Sequence, residues 1–258
     1  IDFILKGTIN PLKIKCDGNE GLIRPMKRKS DPELGPDVLM SMIPSDLDYL
    51  VKRCRAHKIF SSGAGFCNIY RANNGLKGHI TLSGPFIGAP QAVMGMEKMI
   101  ALGAERIWVL GCCGSLQEDL QTGDLVIPTG AISEEGTSQH YPIDDKIPAT
   151  DEKLNEMIEK ALGNIGQSFQ KGTVWTTDAP YRETPEKVKK YKESGVLAVE
   201  MEMSALMTLA AFRITKLAAL LVVSDELFRL KWHSGFSNPI LKKTSQFAGE
   251  ILLGLMSD

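Results

Sequence analysis

Several things are scarce in this 258-residue chain, and each absence excludes a class of protein. No run of about 18 apolar residues occurs, so no membrane-spanning helix is expected. Cysteine is rare and uneven: Cys16, Cys54, Cys67, Cys112 and Cys113 make five, without paired spacing. Adjacent Cys112 and Cys113 cannot easily bridge each other, and no C-x-x-C occurs. With four histidines, none in a metal-ligand pattern, neither a disulfide framework nor a metal site is expected. An excess of either charge is also missing. Lys and Arg number 30 against 31 Asp and Glu, for a net charge of -1. That leaves no strong field for nucleic acid or an anionic membrane. The opening residues, Ile1 to Lys6, lack a basic n-region and a cleavage site. Together with reduced thiols this predicts a cytoplasmic protein.

What is present is ordinary in amount and informative in order. Hydrophobic residues at 43% and charged residues at 24% suit a globular chain with a substantial core. Cys16 to Pro36 reads as an irregular segment with a basic cluster, Arg24, Lys27, Arg28 and Lys29. A solvated loop is the plain reading, and phosphate binding is the alternative. Asp37 to Arg55 reads as helical around a break at Pro44-Ser45-Asp46, with Ser45 or Asp46 as a candidate cap. A regular alternation then follows. Apolar strands are expected at His79–Leu82, Ile107–Leu110, Asp124–Pro128, Gly172–Thr177 and Leu217–Val223. Helices are expected at Gln91–Leu102, Glu152–Leu162, Pro185–Ser194, Met203–Phe212 and Asn238–Leu253. Strands apolar on both faces, alternating with helices, predict an α/β fold. The expected form is a single domain over 1–258, with 1–36 irregular. Its central twisted sheet is mixed, mostly parallel and flanked by helices. In such folds ligands bind at the carboxyl ends of strands. Gly84, Gly111, Thr177, Glu202 and Asp225 all follow apolar strands.

The Ser83–Gly88 and Gly111–Ser115 stretches read as glycine turns whose bare N–H groups can hold an anion or a sugar hydroxyl. Neither matches G-x-G-x-x-G or G-x-x-x-x-G-K-[ST], so dinucleotide and P-loop readings are poor. In Val199-Glu200-Met201-Glu202 a carboxylate can accept from a vicinal diol while Met201 covers a sugar face. The competing reading is an acidic helix N-terminus. Asp225, after Leu220-Leu221-Val222-Val223-Ser224, is either a desolvated acid able to give a proton or an N-cap. His140 and His233 read as loop or packing residues, and Trp232 as a base-pocket or core residue.

These elements carry a resemblance. Gly111-x-x-Gly114, Gly123-Asp124-Leu125-Val126-Ile127, Val199-Glu200-Met201-Glu202 and Ser224-Asp225 stand in the order and spacing of the nucleoside phosphorylase family. That family includes uridine phosphorylases, hexameric-type purine nucleoside phosphorylases and nucleosidases. The likeness spans about residues 79 to 255. It implies cleavage of a nucleoside's N-glycosidic bond by a pentosyltransferase, with phosphate as co-substrate and no metal or cofactor. It also implies assembly as a dimer or hexamer. It assigns Glu202 and Asp225 to catalysis, Met201, Glu202 and Cys112 to ribose, and Gly84, Gly111 and Cys112 to phosphate. The base would meet Cys113, Gly114, Thr177, Asp178, Pro180, Tyr181, Arg182 and Glu183.

The sequence departs from the family at the nucleophile. Phosphorolytic members usually carry arginine where Val109 stands, and Ser or Thr where Cys112 stands. An early phosphate loop would correspond to Ser45-Asp46-Leu47-Asp48-Tyr49, which lacks its glycine and arginine. A further arginine would fall near Gly63 to Gly65. Other cations (Arg24, Lys27, Arg71 or Arg182) could hold phosphate. Water could replace it, or the chain could bind a nucleoside without turnover.

Overall fold

The computed structural model describes residues 21–62, 65, 67–73, 79–143 and 147–256. Ile1 to Lys6, Cys16 and the position expected for a second arginine, apart from Gly65, lie outside the described residues. From 21 to 36 the chain carries no helix or strand.

The first regular element corrects the sequence expectation. Asp37–Ser41 is a strand, β1, buried at every position, and only Pro44–Arg53 is helical, α1. Five apolar-rich residues are too short for periodicity to separate strand from helix. Here pairing decides, because β1 lies parallel to a strand on each side. Neither Ser45 nor Asp46 caps α1. The cap position is Ile43, without a side-chain hydrogen bond, and Pro44 opens the helix.

Strands β2 (His57–Ser61) and β3 (Asn68–Asn73), which the sequence reading missed, join the expected strand β4 (His79–Ser83) in an antiparallel edge. Then follow α2 (Gly88–Ala101), β5 (Arg106–Ser115), β6 (Leu125–Glu134), α3 (Glu152–Gly163) and β7 (Gln170–Thr177). The chain finishes with α4 (Pro185–Glu193), β8 (Ala198–Glu200), α5 (Met203–Arg213), β9 (Lys216–Glu226), β10 (His233–Ser234) and α6 (Pro239–Leu255). Caps match local chemistry: Asp151, Thr184 and Asn238 each accept a first-turn N–H of α3, α4 and α6.

The sheet order is β10-β9-β6-β7-β8-β5-β1-β4-β3-β2, and β9 also pairs with β5. That extra pairing closes β5, β9, β6, β7 and β8 into a ring. The long pairings β1–β5, β5–β9 and β6–β7 are parallel, while the antiparallel ones lie at the edge or span a few residues. Side chains alternate between two cores. Val38, Ile107, Val109, Leu221 and Val223 pack with α2 and α5. Leu39, Trp108, Leu110, Leu220 and Val222 pack with α1, α3 and α6. Both faces of the strands are therefore dry, as their continuous apolar runs require. Among the described residues no helix is long and apolar enough to cross a membrane.

Candidate active site

The ring brings two strand ends to one residue. Gly114 on β5 pairs with Val199 of β8 on one side and with Asp225 of β9 on the other. The chain leaving β8 carries Glu200, Met201 and Glu202 into α5, so the acids from residues 200–202 and 225 converge across Gly114. A Cβ on Gly114 would lie 2.6 Å from Leu227 Cδ1 and 3.1 Å from Asp225 Oδ2. Glycine is needed there for close approach.

Glu200 and Glu202 are both buried, at 6% and 8% exposure, yet they serve different ends. Glu200 Oε2 accepts the backbone N–H of Glu202 at 2.6 Å and of Met203 at 2.7 Å. Its Oε1 accepts the Thr176 hydroxyl, and Thr176 Oγ1 in turn accepts Ser204 N–H at 2.9 Å. Glu200 thus caps α5. Glu202 turns the other way, and its Oε1 accepts Gly88 N–H at 2.6 Å, at the first residue of α2. Burial pushes both carboxyls up, and the neighbouring charge of Glu200 adds to the rise at Glu202. Three donors favour charge on Glu200, so Glu202 is the member whose proton affinity is raised most. Met201 lies half-buried at the bend between them.

Asp225 stands at the end of β9 with both oxygens engaged. Oδ1 accepts the Ser224 hydroxyl at 2.6 Å, and Oδ2 accepts Trp232 Nε1–H at 2.8 Å. It does not cap a helix. Glu183 is half-buried nearby, and burial, then the charge of Asp225, pushes its carboxyl from the usual 4.5 up to about 7.

Gly111 to Ser115 is not a turn. β5 runs through it, paired with β9 up to Ser115 with a shift of register between Cys113 and Gly114. Gly111 lies inside the ladder, packed on Leu221 and Met42. Gly84 likewise gives its N–H to the Asn68 carbonyl at 3.2 Å. The two amides named for phosphate are therefore tied into the sheet region. Within β5, Cys112 and Cys113 point to opposite sides. Cys113 is buried in the core with α2 and α5, so its side chain is kept from a ligand. Cys112 faces the acids. Burial pushes its thiol up to about 12, with the charges of Glu202, Asp225 and Asp46 adding against a hydrogen bond from Ser224.

Asp46 is the unexpected member. The proposed loop Ser45–Tyr49 is the first half of α1 rather than a loop, and Asp46 is buried there on the Ser245 hydroxyl of α6. Val109 is 1% exposed, packed among the core residues under α2 and α5. Of the substitute cations, Lys27 pairs with Glu33 at 3.0 Å and Arg71 donates to the Glu33 carbonyl.

The base segment is looser. Thr177 is buried and its hydroxyl oxygen accepts Ala179 N–H at 3.2 Å. Asp178 accepts Gly136 N–H at 2.9 Å. Pro180–Arg182 forms a single 3₁₀ turn on the surface, with Tyr181 fully exposed. Within this stretch Glu183 lies close enough to Asp225 to feel its charge. His140 lines an open groove of about 500 Å³ with Pro90, Val93 and Met94 of α2 and with Asp178, one of the residues expected at the base. The Ser83–Gly88 stretch is legible in the sequence as N–H groups able to hold an anion, but its Gly88 contact with Glu202 is not; sequence reasoning missed Thr176 and Ser245, because each meets its acid from a remote element. Among the described residues no group of three or more His, Cys, Asp or Glu is arranged to hold a metal.

Known proteins resemble this chain in sequence and in fold. Residues 38–248 match the family model described as the phosphorylase superfamily. A guanosine phosphorylase of Halorubrum lacusprofundi is 28% identical over 192 residues, covering 73% of this chain and 78% of that protein. A DeoD-type purine nucleoside phosphorylase of Bacillus cytotoxicus is 31% identical over 166 residues, covering 64% and 68%. The crystal structure of uridine phosphorylase from Vibrio fischeri ES114 superposes with a TM-score of 0.75 at 21% identity, covering 87% of this chain and 92% of that one. The ring of strands, the Gly114 junction and the acids it gathers thus belong to a chain that is a member of the phosphorylase superfamily.

Proposed function

We propose that this protein cleaves the N-glycosidic bond of a nucleoside, transferring the ribosyl group to phosphate and releasing the free base. The observation that carries this reading is the Gly114 junction, which sets Glu202 and Asp225 on either side of one strand end. Breaking the bond leaves positive charge on the sugar and negative charge on the base. In this reading Glu202, held by Gly88, accepts from the ribose hydroxyls, with Met201 beside it. In the same reading Asp225 protonates the departing base, which favours a purine. The reaction requires neither metal nor cofactor, since acid, sugar clamp and phosphate supply each charge. Relatives that phosphorolyse guanosine or purine nucleosides support the same choice.

Hydrolysis is the second reading, and one observation favours it. Cys112 stands among three acids, Glu202, Asp225 and Asp46, and Val109 offers no charge. A phosphate dianion entering there would find no cation at Val109 to offset its charge, whereas water needs none. We also propose a cytoplasmic homo-oligomer. Ile87 and Met94, at 73% and 48% exposure beside the start of α2, give a second copy apolar surface to cover.

The test is release of base from inosine, guanosine, adenosine and uridine, with and without phosphate. Phosphate-dependent release with formation of ribose 1-phosphate is expected. Equal release without phosphate means hydrolysis, and nucleoside binding without release means a binding protein.

A further inference from the structure

Trp232 is placed where packing does not explain it. Trp108 and Trp175 are wholly buried, but Trp232 is 60% exposed, with its indole N–H spent on Asp225. We propose that Trp232 is a positioning residue for the acid at the end of β9, fixing the Asp225 carboxylate toward the leaving base. The inference rests on the proposed role of Asp225 in protonating that base.

A carboxylate on a short side chain turns easily about its last torsion, whose energy wells are broad. One tether leaves that rotation open, while two donors on different oxygens stop it. Ser224 holds Oδ1 from the strand itself, and Trp232 holds Oδ2 from the segment that follows. That segment is fastened down. His233 and Ser234 pair antiparallel with Glu226 and Asp225, and Gly235 N–H bonds to the Ser224 carbonyl at 2.9 Å. A Cβ on Gly235 would lie 2.3 Å from Thr122 Cγ2 and 2.5 Å from the Ser224 carbonyl oxygen, so only glycine lets the segment lie so close. Glu226 ties the same corner by accepting Thr122 N–H at 3.0 Å. The indole N–H is thus delivered by a braced strap. As the bond to the sugar breaks, its electron pair passes to the base. A proton from solvent, relayed through the Asp225 carboxyl, reaches the base nitrogen only if that carboxyl is aimed at it.

The test compares Trp232→Phe, which keeps a ring and deletes the N–H, with the wild-type enzyme on two substrates. Inosine needs its base protonated; 7-methylguanosine, already cationic, does not. Trp232→Phe should lower kcat on inosine roughly tenfold, the worth of one hydrogen bond to a charged group. KM should hold within about twofold, and turnover of 7-methylguanosine should be unchanged, which also shows that the variant folds. In an Asp225→Asn background, Trp232→Phe should add nothing. Equal loss on both substrates, or no loss on inosine, overturns the positioning role while leaving Asp225 in place. Full inosine turnover by Asp225→Asn, or no turnover of inosine by the wild type, overturns both.

Discussion

Gly88 and Glu202 meet across 114 residues of sequence, the backbone N–H of one donating to Oε1 of the other at 2.6 Å. The contact sets a buried acid at the open end of α2, whose first-turn N–H groups have no side-chain cap of their own. Glu200 does the same for α5. Two helix N-termini, with their partial positive charge, make a pair of adjacent buried acids tolerable. One acid is spent on the fold and the other is left facing the site.

Glu202→Gln keeps the shape and replaces one carboxyl oxygen by an amide nitrogen that can only donate. It is expected to lower kcat/KM roughly 10- to 100-fold, as a lost hydrogen bond that leaves a buried partner unpaired costs about 1–3 kcal/mol. Steady-state kinetics with inosine check this, and near-normal activity would remove Glu202 from the site.

Glu200→Ala should act on stability first. It strips two backbone N–H groups of α5 and the Thr176 hydroxyl of their acceptor. A loss of about 2–3 kcal/mol in urea unfolding is expected, a cap plus buried unpaired donors. An unchanged midpoint would contradict the capping role.

Gly114→Ala tests the junction. The new Cβ has to displace Leu227 and crowd Asp225 Oδ2, which should cost about 1–3 kcal/mol of stability. Activity should fall further than the stability loss explains at saturating folded protein. Crystallography of the variant would show Asp225 moved.

Glu183 gives a pH signature. Its carboxyl is raised from 4.5 to about 7, so the folded state holds this proton where the unfolded chain has released it. Its contribution is fully present below pH 4.5 and is lost as pH rises through about 7. Urea midpoints of wild type and Glu183→Gln should therefore diverge across that window, the wild type losing more on going up. Asp225→Asn should bring the Glu183 titration down, which carbon-detected NMR can follow.

Cys112 and Cys113 should resist alkylation in the folded protein. Burial raises both thiols, Cys112 to about 12 and Cys113 well above its usual value, so little thiolate forms at pH 8. Mass spectrometry after iodoacetamide should find both unlabelled until denaturant is added.

Much of this was legible in the chain, for reasons that can be named. Ile107–Leu110 and Leu217–Val223 read as strands because alternate residues feed two different cores, leaving no polar position. Glu152–Leu162 and Pro185–Ser194 read as helices and end within a residue of α3 and α4. Asp37–Ser41 was not legible, since five residues between unlike neighbours carry no period. Gly111 to Ser115 looked like a turn because glycine is the usual turn residue. In the fold its glycines instead admit Leu221, Met42, Leu227 and Asp225 beside β5.

By itself the sequence determined the alternation of strands and helices, the two-faced burial and the order of the acids along the chain, all of which are local patterns. Only the tertiary structure decided what each acid does. Closure of β5 on both β8 and β9 puts Glu202 and Asp225 at one place, turns Glu200 into a cap and brings Asp46 toward Cys112. The partners that decide these roles, Gly88, Thr176, Ser245 and Trp232, come from separate elements. A carboxylate's role follows from the donors that surround it, and here the folded backbone supplies them.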